Sequence, residues 1–324
     1  MYAHKKFDML VNFNKILQHA RKNKYAIGGF NINNLETAQG IIFAAEKLNA
    51  PVILQTSEGA LEYGGIEYLA AIGHVAAQLN KKLPVVLHLD HGKDEALVER
   101  VIKSGWYSSV MIDASRYTFE KNIEVTRRIV DLAHARGMSV EAELGAISGQ
   151  EDLVNVSQKE AAYTDPDQVK KFVALTKCDA LAISIGTAHG AVKYVAGEKP
   201  ELDLARLSEI AAITKIPLVL HGASSVPHEL LVELHKSCGP VGDCHRIHNA
   251  VGIPELQIKK AIARGIAKVN VDTDIRIAFT AAVREKLLTD SDFIDPRKLL
   301  APARDAVQKL VEKKIKLFGF GRSV

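Results

Sequence analysis

Residues 84–92 read PVVLHLDHG. An apolar run leads into His88, Leu89, Asp90 and His91 and stops at Gly92. Two imidazoles and a carboxylate at the end of such a run are expensive to bury unless something pairs with them. The run lacks the alternation of a strand with one wet face, and its continuous Val and Leu fit a parallel strand covered on both sides. Further runs, most of the same kind, lie along the chain and read as strands: AIGGFNIN (26–33), PVILQTS (51–57), SVMIDA (109–114), SVEAELGAI (139–147), ALAISIGTAHG (180–190), PLVLHGASS (217–225) and KVNVDTD (268–274).

Helical signals separate these runs. Phe119, Ile123, Val130 and Ala133 recur at helical spacing, and Gly137 is a C-terminal stop. Asp165, Pro166 and Gln168 form a helix start, with the cap, the first-turn proline and the residue three beyond the cap in place. LDLARLSEIAAIT and TAAVREKLL read as helices too. Eight strands, each followed by at least one helix, predict an α/β chain folded as a (β/α)8 TIM barrel; a doubly wound open sheet is the alternative. No low-complexity linker divides the chain, so residues 1–324 are expected to form one domain. Two irregular stretches stand out, 145–167 and 237–254, and long loops in compact domains are often functional.

Composition narrows the function classes. With 47% hydrophobic and 25% charged residues, the 324-residue chain can bury a sizeable core. The formal net charge of +4 is spread out, which argues against nucleic acid while leaving room for a local anion pocket. No segment approaches the ~20 unbroken apolar residues of a membrane span. The start, MYAHKKFDML, lacks the apolar region of a secretory signal. Cys178, Cys238 and Cys244 are too few for a disulfide framework and suit a reducing cytoplasm.

The polar residues gather where a barrel keeps its chemistry, at the C-terminal ends of the strands. There lie Asp90 and His91, Asp113, Glu141 and Glu143, His189, His221, and Asn270, Asp272 and Asp274. Three histidines from separate strand ends, with a fourth position open, are the ligand set of a catalytic zinc site. Cys244, His245 and His248 are a rival set, but their loop lacks a second Cys/His pair at finger spacing. Ser224 and Ser225 after the seventh strand, Lys193 after the sixth and NVDT at the end of the eighth suit a phosphate monoester. Adjacent strand residues point to opposite faces, so if Asp90 and His91 serve one site, one of them must depart from strand geometry. His88 reads as a core or supporting imidazole.

HLDHG, ELGAISGQED, GTAHG, LHGASS and NVDTD, with GGFNINNLETAQ before them and DPRKLL after, together resemble the metal-dependent class II fructose-1,6-bisphosphate aldolases. The resemblance runs from Phe7 to Phe320. It implies a carbon–carbon lyase that cleaves a sugar bisphosphate into dihydroxyacetone phosphate and glyceraldehyde 3-phosphate. His91, His189 and His221 correspond to ligands of a catalytic zinc ion, and Asp113 and Glu143 to an alternative or second metal position. Asp90 corresponds to the acid/base on the C4 hydroxyl, Glu151 to the residue that moves the C3 proton, and Asn270 to a stabiliser of the enediolate. Gly190, Lys193, Gly222, Ala223, Ser224 and the segment Asn270, Val271, Asp272 and Thr273 correspond to the pocket for dihydroxyacetone phosphate. Ser57, Arg276 and Arg297 correspond to positions near the aldehyde half, Arg297 reaching across from a neighbouring subunit. A monovalent cation, sodium or potassium, and a homodimer or homotetramer are implied as well. Ala223 departs from the pattern, since many relatives carry glycine there.

A tagatose-1,6-bisphosphate aldolase is the alternative within the family; the Asp272 and Arg276 pattern resembles the fructose enzymes more. A metal-dependent hydrolase on the same barrel commonly places a His-x-His pair on the first strand, and GGFNIN has none. A Schiff-base aldolase needs a suitably placed lysine. ALAISIGTAHG contains none, Lys193 lies beyond it, and Lys268 is expected at the start of the eighth strand, at the wrong rim.

Overall fold

In the computed structural model the described residues are 10–80, 83–151, 154–156, 163–189, 200–225, 228–236, 252–290, 292 and 294–321. Eleven strands occur among them: β1 (Ile27–Asn31), β2 (Val52–Thr56), β3 (Val85–Gly92), β4 (Ser109–Ile112), β5 (Ser139–Leu144), β6 (Ser148–Glu151), β7 (Val154–Val156), β8 (Ala180–Ile183), β9 (Ala188–His189), β10 (Leu218–Leu220) and β11 (Ile266–Val271). Eight of these close into a barrel in the order β1-β11-β10-β8-β5-β4-β3-β2. Every neighbouring pair in it is parallel. The fold is the (β/α)8 barrel, and the open sheet is excluded.

Alternation along the strands sorts the core. Leu54, Leu87, Leu89, Val110, Ile112, Val140, Ala142, Leu181, Leu220 and Val269 belong to the cluster shared with the surrounding helices. Ile27, Ile53, Val86, Met111, Ala180 and Val219 form a separate inner cluster with Phe13 and Leu17. Phe13 and Leu17 come from the beginning and the middle of the N-terminal helix segment, whose helix Asn14–Lys22 packs on β1 and β11. Continuous apolar runs are what two buried faces require.

The helices follow their sequence signals. The helix Phe119–His134 is capped by Thr118, and Gly137 takes a left-handed turn beyond its end. Asp165 caps the helix Pro166–Thr176 by accepting from the Asp167 N–H. Among the described residues no helix is long and apolar enough to cross a membrane.

The sixth predicted strand is not continuous. β8 stops at Ile183, the chain turns through Gly186 at φ 102°, and β9 pairs with β6 rather than with the barrel. The stretch 145–167, expected to be irregular, contributes β6 and β7 as an antiparallel pair. The seventh predicted strand, 217–225, is strand only over Leu218–Leu220. β11 begins two residues earlier than expected, so Lys268 is its third residue, well inside the barrel. Residues 237–251, with Cys244, His245 and His248, lie outside the described residues, as do Gly190 and Lys193.

Candidate active site

Two polar layers sit above the apolar inner cluster. In the lower layer Glu141 is fully buried. Its Oε2 accepts from Lys268 Nζ at 2.8 Å and its Oε1 lies 2.6 Å from His221 Nε2. His88 Nε2 is 3.7 Å from the same Oε2, and His88 Nδ1 pairs with Ser109 Oγ at 2.8 Å. Burial pushes the His88 pKa well below the ordinary imidazole value, with the Lys268 charge acting in the same direction, so this ring is neutral. Gly29 makes room here, because a Cβ on it would lie 1.9 Å from Gln55 Oε1 and 3.0 Å from Lys268 Cε. Lys268 is therefore neither at the wrong rim nor a free amine; it is ion-paired in the middle of the barrel.

The upper layer stands at the strand ends. His91 Nε2 and His221 Nδ1 face each other at 2.8 Å. Asp90 lies beside them, its two oxygens accepting from Asn270 Nδ2 at 2.9 Å and Asn31 Nδ2 at 3.2 Å. Asn31 Oδ1 in turn accepts from Gln55 Nε2 at 2.8 Å. His91 adopts φ 48°, and the β3–β4 register shifts between Leu89 and Gly92. That left-handed residue is the departure which brings two adjacent side chains into one site. Such a conformation is uncommon outside glycine and costs about 1–3 kcal/mol.

On its other side, His91 Nδ1 is 3.8 Å from Asp113 Oδ2. Asp113 Oδ1 accepts from Ser115 Oγ at 2.6 Å. Glu143 is buried, and its Oε2 has no hydrogen-bond partner among the described residues. Burial opposes charging of His91, but Asp90, Asp113 and Glu143 outweigh it and raise its pKa to about 10. Burial and then the Asp113 charge raise the Glu143 carboxyl well above its usual range. Burial also works against ionised Asp113, yet His91 and Lys93 hold its pKa down. The mouth is thus a nest of carboxylates that demands positive charge.

Ligand atoms of Asp90, His91 and His221 lie within 4.8 Å of one another, and so do those of His91, Asp113 and Glu143. Imidazoles mixed with carboxylates, one of them lacking a partner, fit a divalent transition ion such as zinc. Glu141 supports the fit: a carboxylate on His221 Nε2 fixes the tautomer and leaves Nδ1 toward the site. The sequence places Glu141 among the strand-end polar residues without giving it a role, and it gives none to Asn31 or Gln55. Their signal was polar type at inward-facing positions of β1, β2 and β5.

The remaining expected residues divide. The backbone of His189 is in β9, opposite Gly149 of β6, and its side chain lies outside the described residues. A Cβ on Gly222, which has φ 59°, would lie 2.7 Å from the Ala188 carbonyl oxygen, so the chain carrying His189 runs against the end of β10. Glu151 ends β6 opposite Val154, its side chain likewise undescribed. Ala223 and Ser224 are buried beyond β10, and Lys314 Nζ ties the next residue through Ser225 Oγ at 2.7 Å. Val271, Asp272 and Thr273 are buried where β11 passes into the helix Thr273–Thr289, and Arg276 Nε donates to Asp272 Oδ1 at 2.8 Å. Ser57 caps the helix Glu58–Gly64. Arg297 is not gathered with these groups; its side chain is 89% exposed and folds onto Asp295 at the start of the helix Pro296–Leu317.

Comparison with known proteins agrees with this geometry. The family described as fructose-bisphosphate aldolase class-II matches residues 11–321. A fructose-bisphosphate aldolase of Thermus caldophilus is 46% identical over 311 residues, which is 96% of this chain and 98% of that one. One from Giardia intestinalis is 44% identical over 311 residues, 96% of this chain and 93% of that one. The crystal structure of the YdjI aldolase from Escherichia coli K12 superposes with a TM-score of 0.74 at 32% identity, covering 96% of this chain and 98% of that one. Matched from one end of the barrel to the other, the chain belongs to the class II fructose-bisphosphate aldolase family, metal-dependent carbon–carbon lyases.

Proposed function

We propose that this chain, acting as one catalytic domain over residues 1–324, reversibly cleaves fructose 1,6-bisphosphate to dihydroxyacetone phosphate and glyceraldehyde 3-phosphate. The observation that carries the reading is the Asp90 carboxylate, clamped by Asn31 and Asn270 beside the facing nitrogens of His91 and His221. In this reading His91, His221 and His189 hold zinc, with Asp113 and Glu143 offering an alternative position. The bound ion supplies a Lewis acid for the carbonyl side of the substrate.

The chain's own residues do the rest. Asp90 takes the proton of the C4 hydroxyl, the C3–C4 bond breaks with its electron pair moving toward the C2 carbonyl, and Glu151 returns a proton at C3. The Asn270 amide donates toward the negative charge left on the three-carbon fragment. Gly190, Lys193, Gly222, Ala223, Ser224 and Asn270 to Thr273 receive the phosphate of that fragment, with sodium or potassium nearby. Ser57 and Arg276 face the aldehyde half, joined by Arg297 of a neighbouring copy in a homodimer or homotetramer. The chain works in the cytoplasm.

Chelator-stripped protein assayed with and without added zinc tests the reading, on both fructose and tagatose 1,6-bisphosphate. Activity should vanish and return with the ion. Undiminished cleavage in metal-free protein would overturn it, and a larger kcat/KM for tagatose would replace the substrate. Asp90→Ala should keep zinc while losing about 10²–10⁴-fold in turnover.

A further inference from the structure

A cation already stands beside the group formed by His91, Asp113 and Glu143. Lys93 Nζ lies 3.6 Å from Asp113 Oδ2, with its side chain 19% exposed. The same oxygen is 3.8 Å from His91 Nδ1. The geometry points to Lys93 as the residue that keeps this chain to a single divalent ion, its ammonium filling the place a second ion would need; this rests on the metal-dependent reading above.

Charge balance is the first argument. Asp90, Asp113 and Glu143 are all buried around His91, while Glu141 is neutralised by Lys268. Asp90 and Asp113 already balance a single divalent ion, and with the Lys93 ammonium beside Asp113 no negative charge is left for a second. A second divalent ion beside the ammonium would leave excess positive charge among largely buried groups, which is costly.

The lone pairs of His91 give the second argument. Its Nε2 faces His221 and its Nδ1 faces Asp113. A neutral imidazole has one ring nitrogen that accepts and one that carries a proton. With Nε2 given to an ion, the proton on Nδ1 leaves a second ion only the Asp113 and Glu143 carboxylates to rest on, and Lys93 stands beside Asp113. Lys93 is also well anchored. Its backbone N–H donates to Glu58 Oε1 at 2.7 Å, and its carbonyl accepts from Arg116 Nη2 at 3.0 Å. The ammonium therefore starts from a fixed stub.

Equilibrium dialysis of chelator-stripped protein against graded free zinc tests the inference, with metal counted by atomic emission and the fold checked by circular dichroism. The wild-type chain should hold a single zinc ion at concentrations where Lys93→Ala takes up a second, whose affinity rises at least ~10-fold once the like charge is gone. Lys93→Arg should behave as wild type. Adding Asp113→Asn to Lys93→Ala should remove the second ion, which places it at this group and not on a surface histidine. Two tightly held ions in the wild type overturn the inference, as does a Lys93→Ala chain that matches wild type at every concentration. A wild-type chain that holds no zinc overturns the functional reading instead. Should Lys93→Ala fail to fold, Lys93→Gln, which keeps most of the stem, carries the same comparison.

Discussion

Three strands each contribute one residue to the lower polar layer and, two positions on, one to the upper: His88 and Asp90 from β3, Glu141 and Glu143 from β5, Lys268 and Asn270 from β11. In the lower layer the Glu141 carboxylate meets a lysine and a histidine within 2.8 Å. In the upper layer Asp90, Asp113 and Glu143 crowd one imidazole, and Glu143 keeps an oxygen without a hydrogen-bond partner among the described residues. The same alternation thus yields a floor whose charges are closed and a mouth whose charges are left open. The floor holds shape; the mouth waits for an ion.

Opening the floor should have the largest effect on stability. Lys268→Met leaves Glu141 buried without its cation, and breaking such a pair by removing one partner costs about 3–5 kcal/mol. Urea denaturation of the metal-free protein measures it. A loss no larger than that of a surface lysine would mean that water reaches Glu141 and the floor is not closed.

How much of this contrast was legible beforehand depends on the range of the interaction. Most of the eight barrel strands could be read locally, since short buried apolar runs mark them one by one. The departure at His91 was also legible, because Asp90 and His91 are neighbours and cannot share a face in regular strand geometry. The break between β8 and β9 was not, since what ends the strand is pairing of Ala188 and His189 with Ser148 and Gly149, about forty residues away. Lys268 was misplaced for the same reason. Its partner Glu141 is 127 residues distant, and no local pattern distinguishes an inward lysine from one at a strand's start.

The mouth should reveal its demand for a cation through pH. In metal-free protein the His91 pKa stands at about 10, above its unfolded value of about 6.5. Stability from that charge is fully present below the unfolded value and is lost as pH rises through the folded one. Metal-free protein should therefore lose a few kcal/mol between about pH 7 and pH 10. In zinc-loaded protein the ion takes over the role of the proton and the slope should flatten. Thermal melts with and without zinc across this range decide it, and equal slopes would break the contrast between the layers.

The two layers touch at His221, which pairs with Glu141 below and faces His91 above. Glu141→Gln keeps the size of the side chain but weakens its hold on the ring. Loss of such an orienting carboxylate commonly costs 10–100-fold in metal affinity, about 1–3 kcal/mol. Competition with a chromogenic chelator would show it. Unchanged affinity would make the floor a packing feature with no influence on the mouth.

Outside both layers, Arg297 should matter least to the fold. It is 89% exposed and bonds Asp295 within its own turn. Exposed pairs of this kind contribute little, and Arg297→Ala should leave the melting temperature unchanged. Its effect on KM for the bisphosphate is the informative quantity. If Arg297 completes the mouth of a neighbouring copy, KM rises while the melting temperature stays put, and mixing Arg297→Ala chains with chains inactivated at Asp90 restores sites that have both residues. If KM is unchanged, the mouth is complete within one chain and its only missing charge is the ion.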